Sequence, residues 1–468
     1  VIEFPFIGGS YPAEAMPFAT QRTVNLFAEV DPNYRTKAVL EGFPGHKKWT
    51  KVGNGPVRGG VEFKNSLVVV SGNTVHSLSG GGGATSIGAI ATGTGPVSVD
   101  ENGSQVMLVD GKDGYVYDGS SFTKITDPVF TATKADQVTH MDSFFVVNKP
   151  GTGSIWVSDS FDGRNWSATR TATAEFKSDE VVSLNADREL FLGGSKTIQA
   201  YYNSGAATMP FEAIRSSRLI YGVAARDSWA VVGNTSYFLS QDANGGIFVG
   251  RLNGPSVERV SVRAWEKEWT KYDYEDAYAF GIHFHGHEWY VLTFPEADHG
   301  FGRTFLYSIA TGVWSEIGIY QPSVGDFGKH PMTYHTYFAG KNLIGDGTGW
   351  LYELDDDTFT FDGETMISLR RSPVLHDKME SFSLNRLSVG AAVGVENDDC
   401  SDPQIHMRHS KNGGYTWKNT RYKSLTGTYT DKYKTGLDFP LMGMAKDWVF
   451  ELSISDPVRR RFYGAFVS

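Results

Sequence analysis

Along most of this 468-residue chain, short apolar runs meet turns rich in Gly, Asn and Asp, and an aromatic-rich run follows. Residues 66–71 lead through Gly72-Asn73 into 74–78, and 105–110 lead through Gly111-Lys112-Asp113-Gly114 into Tyr115-Val116-Tyr117. The same grammar recurs at Pro150-Gly151-Thr152-Gly153, Gly193-Gly194-Ser195, Gly233-Asn234, in a long turn near 298, and at Gly345-Asp346-Gly347-Thr348-Gly349. Each unit reads as a β-hairpin, because β-forming residues flank residues that tolerate positive φ. The turn centres near 72, 111, 150, 193, 233, 298 and 346 are separated by 39, 39, 43, 40, 65 and 48 residues. A period of 40–45 residues is that of a four-stranded propeller blade. One hairpin cannot cover both of its faces, whereas blades around an axis cover each other. A β-sandwich with irregular loops is the competing architecture, since it too places a strand every 8–12 residues.

The expectation is an all-β chain: a β-propeller of about seven blades with an N-terminal arm and a C-terminal β-layer. Residues 1–55 are Pro-rich and irregular, with one strand-like stretch at 23–30, and read as an arm packing along the fold or a neighbour. Residues 56–363 carry the repeat. Residues 364–468 have lost it and hold long alternating stretches such as 450–455. The wide gap at 240–272 predicts an insertion, with a short helix in 260–272, and the low-complexity Gly80–Gly83 run a flexible turn.

Composition narrows the function classes. With 53 Gly, 13 % aromatic and 21 % charged residues, the chain is folded and turn-rich rather than disordered. Its net charge of −10 argues against a general nucleic-acid binder, which needs a basic excess to displace counterions. An acidic wall past which DNA slides is compatible with it. Cys400 is the sole cysteine, so no intrachain disulfide forms. Val1-Ile2-Glu3-Phe4 starts no leader pattern, and runs such as 67–70 fall far short of the ~20 residues of a membrane span. These features predict a soluble protein without membrane insertion, assembled in a reducing cytoplasm.

Candidate chemistry is sparse. Gly194-Ser195-Lys196-Thr197 lacks the order and the following helix of a phosphate-binding loop. His283, His285 and His287 alternate beside Glu288, and a strand would place them on one face for a metal, although Gly286 bends the chain; a polar strand face is the plainer reading. Asp355-Asp356-Asp357 and the group Glu396, Asp398, Asp399, Asp402 lack the spacing of a calcium loop and read as solvated turns. Ser410-Lys411-Asn412-Gly413-Gly414-Tyr415-Thr416-Trp417 resembles the Asp-box of sialidase-like propellers, with a truncated relative at 160–166. That motif builds a turn rather than a catalytic centre. No catalytic residue, metal or cofactor is expected.

Several motifs in order resemble the packaged-DNA stabilisation proteins of short-tailed bacteriophages, also called tail hub or tail accessory proteins. They are Val24-Asn25-Leu26, Phe43-Pro44-Gly45, Arg58-Gly59-Gly60-Val61-Glu62-Phe63, the run from Glu189 to Ile198, Phe305-Leu306-Tyr307 with Trp314, 345–354, and Asp456-Pro457-Val458-Arg459-Arg460-Arg461. The resemblance implies a structural virion protein without catalysis. It implies a ring, a homohexamer, below the portal and its tail adaptor protein. Such a ring extends the channel through which double-stranded DNA passes, retains the genome, and carries a tail needle or plug and tailspikes or fibres. By position, Phe4, Phe6 and Phe18 in the arm and Arg459, Arg460 and Arg461 near the C-terminus are candidate partner contacts; intrachain packing and a solvated strand end compete with that reading. The alternative is an Asp-box propeller that binds or cleaves glycans.

Overall fold

The computed structural model describes residues 2–12, 21–30, 38–174, 180–254, 256–297, 300–378, 380–427 and 436–468. Six antiparallel units follow one another from Val57: Val57–Phe63 to Ala84–Ala89, Ser98–Glu101 to Phe122–Lys124, Val138–Met141 to Asp162–Thr173, Val181–Ala186 to Phe211–Ala213, Gly222–Val223 to Ser256–Arg259, and Tyr278–Phe284 to Val313–Ile317. The seventh has Tyr334–Phe338, Lys341–Gly345 and Trp350–Asp355, and takes its fourth strand, Gly45–Lys51, from the other end of the chain. The inner strand of blade seven lies against that of blade one, which closes the circle. The chain is therefore an all-β propeller of seven blades, with the expected short helix at Arg263–Trp269.

The second strand of a blade is walled in on both sides by neighbouring blades. Leu67 to Val70, Val106 to Val109 and Trp289 to Leu292 are all fully buried, which is why they appear in sequence as continuous apolar runs rather than alternation. The turns between them are built by side chains that accept from the backbone ahead. Asp110 Oδ1 accepts from the amides of Lys112 and Asp113 at 3.0 and 2.8 Å, and Asp346 Oδ1 from those of Thr348 and Trp350 at 2.9 Å each. The expected turns at 72, 111, 150 and 346 join second to third strands; that at 233 joins first to second. The centre at 298 lies outside the described residues. The 240–272 gap holds the two outer strands of blade five and the helix, whose Trp265 and Trp269 pack into the core beside Phe294 and Phe305.

The rest of the molecule is a sandwich made from both chain ends. One sheet runs Leu26–Glu29, Val39–Gly42, Arg461–Val467, Phe382–Ala391, Gly436–Ala445, with Ile2–Phe4 on the other part of Arg461–Val467. The second runs Ser368–Arg371, Asp447–Ile454, Gln404–Ser410, Arg421–Ser424, and does not stop at its own edge. Through Arg22–Val24 it continues into Val313–Ile317 of blade six, so one sheet spans both parts. The core between the two sheets contains Phe4, Phe6, Leu387, Trp448, Phe450 and Phe462.

Thus residues 1–55 do not stand apart as an arm. Arg22–Val24 bridges propeller and sandwich, three strands (Ile2–Phe4, Leu26–Glu29 and Val39–Gly42) enter the sandwich, and Gly45–Lys51 closes blade seven. The crossing between bridge and sandwich strand is Asn25, fully buried at φ 53°. Its Nδ2 donates to the carbonyls of Gly318 (2.9 Å) and Ile367 (2.8 Å), and its Oδ1 accepts from the Gly318 amide (2.9 Å). Asn tolerates this left-handed conformation and supplies both donor and acceptor, so one residue ties three segments. Gly45 is needed for space: a Cβ there would lie 2.5 Å from the carbonyl oxygens of both Thr358 and Thr360.

Candidate functional site

Three sequence features that lie far apart in the chain meet in one cleft of about 210 Å³, bounded by blades six and seven and the sandwich. His285 and His287 come from the first turn of blade six, Asp356 and Asp357 from the end of blade seven, and Arg459, Arg460 and Arg461 from the sandwich. The cleft is a meeting of walls rather than a metal centre. The turn His285-Gly286, with φ 46° and 88°, puts the three histidines in different places. His283 Nε2 accepts from the Gly233 amide at 3.1 Å, His285 Nδ1 lies 3.0 Å from Asp356 Oδ2, and His287 stacks on Trp289. Burial lowers the His287 pKa. Among the described residues, Asp355, Asp356 and Asp357 are the one group whose oxygens converge. Asp355 is already engaged by Lys47 at 2.6 Å and by the Thr358 hydroxyl at 2.8 Å; burial raises its pKa, but these bonds outweigh that and hold it below the usual range.

The candidate contact residues divide. Phe4 and Phe6 are 4 % and 1 % exposed; they pack on Phe450 and Phe462 in the sandwich core, and this corrects their assignment to a contact surface. Burying a phenyl ring inside the chain removes it from any surface a partner reaches. Phe18 lies outside the described residues. Arg460 is also internal: its Nη2 donates to the carbonyls of Phe359, Met366 and Asp456 at 2.8–3.0 Å, and burial lowers its pKa to about 10. Arg461 pairs with Glu41 across two sandwich strands. Of the five that are described, Arg459 alone is exposed.

The sequence did not reveal the charged residues that fasten the bridge strand. Arg22 reaches Glu316 at 2.8 Å and Asp326 at 2.5 Å, and Arg303 reaches the same two at 3.2 and 2.7 Å. Burial lowers the Arg22 pKa, but Glu316 and Asp326 more than reverse it; burial raises Glu316, and Arg22 and Arg303 more than reverse that, so both stay charged. The pattern continues across the sheet: Arg371 pairs with Glu451 at 2.6 Å, Arg408 pairs with the same carboxylate, and both guanidinium groups lie on Trp417. Beside this row Arg370, fully buried, donates to the carbonyls of Phe6 and Gly9 and to the Thr23 hydroxyl, with no carboxylate partner among the described residues; burial lowers its pKa to about 9. No local signal marks residue 22 as the neighbour of residue 316.

The Asp-box-like segment forms the turn its residues dictate. Ser410 Oγ accepts from the Gly414 amide at 2.9 Å and Asn412 Oδ1 from the Thr416 amide at 2.9 Å. It sits in the sandwich, outside the propeller. Its truncated relative is a blade-three turn, where Trp166 Nε1 donates to the Gly163 carbonyl at 2.8 Å and the ring packs on Phe130.

A seven-bladed propeller sharing a sheet with a sandwich made from both chain ends defines a rigid, many-sided building block. A family model described as Phage_stabilise, Bacteriophage P22 Gp10, beta-propeller, matches residues 2–359, and the chain belongs to this family. Its class is therefore a phage structural protein. A search of curated proteins finds no match. Solved structures similar to the chain include PorZ, a surface component of the type-IX secretion system of Porphyromonas gingivalis (10 % identity, 72 % of this chain and 44 % of that one, TM-score 0.39). Virginiamycin B lyase from Staphylococcus aureus (10 %, 70 % and 98 %, 0.41) and an ancestral GH74 enzyme (13 %, 75 % and 52 %, 0.42) also match. The chain spans less than half of PorZ.

Proposed function

We propose that this chain is the tail hub subunit of a short-tailed phage virion. Copies form a ring below the portal and its adaptor, extend the channel for double-stranded DNA, retain the packaged genome, and carry the needle or plug and the tailspikes or fibres. The family match over residues 2–359 carries the reading. The build of the molecule supports it. A closed propeller fused to a sandwich through one continuous sheet offers many loop ends on a stiff body, suited to several neighbours at once. The acidic balance of −10 suits a conduit, because like charge discourages DNA from adhering to the walls. In the cleft, Asp356 of blade seven is paired with His285 of blade six, and Glu41 with Arg461 on the neighbouring strand of the sandwich. No helix among the described residues is long and apolar enough to cross a membrane.

The test is particle assembly without this chain. Heads that leak DNA and carry no tail are expected; particles that keep genome and tail appendages would remove the reading. A glycan-cleaving role makes the opposite prediction: full-length protein would release sugar from a glycan panel, and a single cleft carboxylate substitution would abolish the release.

A further inference from the structure

We propose that the sandwich is a two-ended connector, in which the basic, aromatic end of one copy docks on the acidic end of the next copy of this chain. The inference rests on the ring reading above and says which surfaces make the ring. Residues 404–427 hold five Lys or Arg, two His and no Asp or Glu, in a chain of net charge −10. They form the hairpin Gln404–Ser410 to Arg421–Ser424 at the open edge of the sandwich. At its turn, Lys411, Lys418 and Arg421 form no ion pair among the described residues. Lys411 lies over Trp448 at 5.1 Å and Arg421 over Phe439 at 5.7 Å. Asp447 is the acidic residue beside the turn, and its backbone carbonyl accepts from the Gly413 amide. Tyr415 and Tyr422 are 62 % and 67 % exposed, and Trp417 stands half-buried beside them. Tyr and Trp beside Lys411, Lys418 and Arg421, which have no ion pair among the described residues, are the composition of a protein contact centre that awaits an acidic partner.

The acidic partner surface lies at the other end of the same strand. Glu396, Asp398, Asp399 and Asp402 are exposed in the loop that leads into Gln404–Ser410. The loop is held in shape by Asn397, whose Oδ1 accepts from the amides of Asp399 and Cys400 at 3.1 and 2.9 Å. Along the seven-residue strand Ser410, at the turn, and Gln404, at the acidic loop, are about 20 Å apart, with Arg421 and Tyr422 opposite Met407 and His406 between them. Joining like ends would set cations against cations. Joining unlike ends gives a head-to-tail contact, which repeats from copy to copy and closes into a ring when the rotation allows. DNA is another polyanion the basic end could attract, but exposed Tyr415 and Tyr422 beside a half-buried Trp417, and an acidic counterpart on the same molecule, favour a second copy.

Native mass spectrometry and sedimentation of the full-length chain test this with two variants. Lys418→Glu with Arg421→Glu makes both ends acidic; Asp398→Lys with Asp399→Lys makes both basic. Each variant alone should self-associate about 100-fold or more weakly than wild type, because like charges face each other. An equimolar mixture should restore assembly, and added salt should weaken it. Restoration in the mixture also shows that both variants fold. If wild type assembles and each variant alone assembles equally well, the two-ended connector is wrong and the ring reading stands. If wild type stays monomeric at all concentrations, the ring reading fails and this inference goes with it. If the basic-end variant loses only DNA retention, with assembly unchanged, the surface belongs to DNA and the proposal is overturned.

Discussion

The propeller and the sandwich are made from the same kinds of strand but by opposite use of the chain. Each of blades one to six comes from one contiguous stretch, so its pairings are local; Leu67 meets Leu78 eleven residues on. In the sandwich Ile2 pairs with Val467, and Leu40 with Phe462. Blade seven stands between the two: three strands are local and the fourth, Gly45–Lys51, arrives from some 300 residues away. Local pairings close small loops at low entropic cost, while those of the chain ends must wait for the whole polypeptide. The difference assigns two jobs. The blades define the body, and the chain ends lock it shut and fix it to the sandwich.

The largest expected effect comes from removing a lock. Phe6 packs on Phe462 under the Arg370 guanidinium, and both of these partners lie more than 350 residues away in sequence. Phe6→Ala should cost about 3–5 kcal/mol, the usual loss for a large buried ring. Limited proteolysis with mass mapping should find the new cuts after residue 364, with blades one to four unchanged. Cuts spread evenly over all blades would mean that body and lock unfold as one.

Acid probes the second lock. His46, on the closing strand, faces His330 with ring centroids 5.6 Å apart, stacks on Phe361, and is 3 % exposed. Burial lowers the His46 pKa to about 4 against opposition from Asp362 and Asp346; it lowers His335 of the same blade to about 4 and His330 well below the ordinary value, His46 adding to the last. The folded state therefore keeps these rings neutral while the unfolded chain takes up protons near 6.5. Stability is full above that pH and falls as the pH drops from about 6.5 toward 4, by on the order of 3 kcal/mol for His46. Among its described residues the sandwich has one such group, His409, also lowered to about 4 by burial and by Lys411, Arg421 and Lys418. Hydrogen exchange should show Gly45–Lys51 losing protection before blades one to four across this window, and His330→Leu should flatten the decline. A decline that is uniform over all blades would contradict a weak seventh closure.

This division also explains what could be read from the sequence. The blade count and the turns at Asp110 and Asp346 were visible because each is written in one short stretch. The fourth strand of blade seven was not: Gly45–Lys51 carries neither an apolar run nor an alternation, and only its partner three hundred residues away gives it a role. Phe4 and Phe6 looked like free arm residues for the same reason. The three arginines at 459–461 looked alike in sequence, yet the carbonyls of Phe359 and Met366 hold Arg460 inside while Arg459 stays outside. The cleft residues were singled out one motif at a time, but their meeting depends on how blade six, blade seven and the sandwich are joined. The network of Arg22, Arg303, Glu316 and Asp326 makes that junction and left no local trace.

A smaller effect is expected from loosening that network without emptying it. Glu316→Gln keeps the shape and some hydrogen bonds to Arg22 and Arg303 but removes the charge they share. The loss should be about 1.5–3 kcal/mol, typical of hydrogen bonds to charged groups. Because Arg22–Val24 belongs to both parts, denaturant unfolding should change from one transition toward two, with the sandwich melting first. A single transition shifted as a whole would show that the shared sheet, rather than its charges, couples body and lock.

The smallest effect separates a true fastener from a decoration on the same strand. Lys47 and Asp355 pair at 2.6 Å at the edge of blade seven, with the lysine side chain 52 % exposed. Water screens such a pair, and ordering a long side chain offsets part of the gain, so Lys47→Met should cost no more than about 0.5 kcal/mol in low salt and nothing measurable at high salt. Equilibrium unfolding at the two salt concentrations, followed by Trp fluorescence, is the measurement. If the loss instead exceeds that of Glu316→Gln, or persists in high salt, surface charge rather than the backbone ladder and the buried His46 side of the strand would be holding the circle closed. The chain-end lock would then be an electrostatic one, and the acid sensitivity predicted above would have to be reassigned from histidine protonation to loss of the Asp355 charge, which would appear at lower pH because its carboxyl is already held below the usual range.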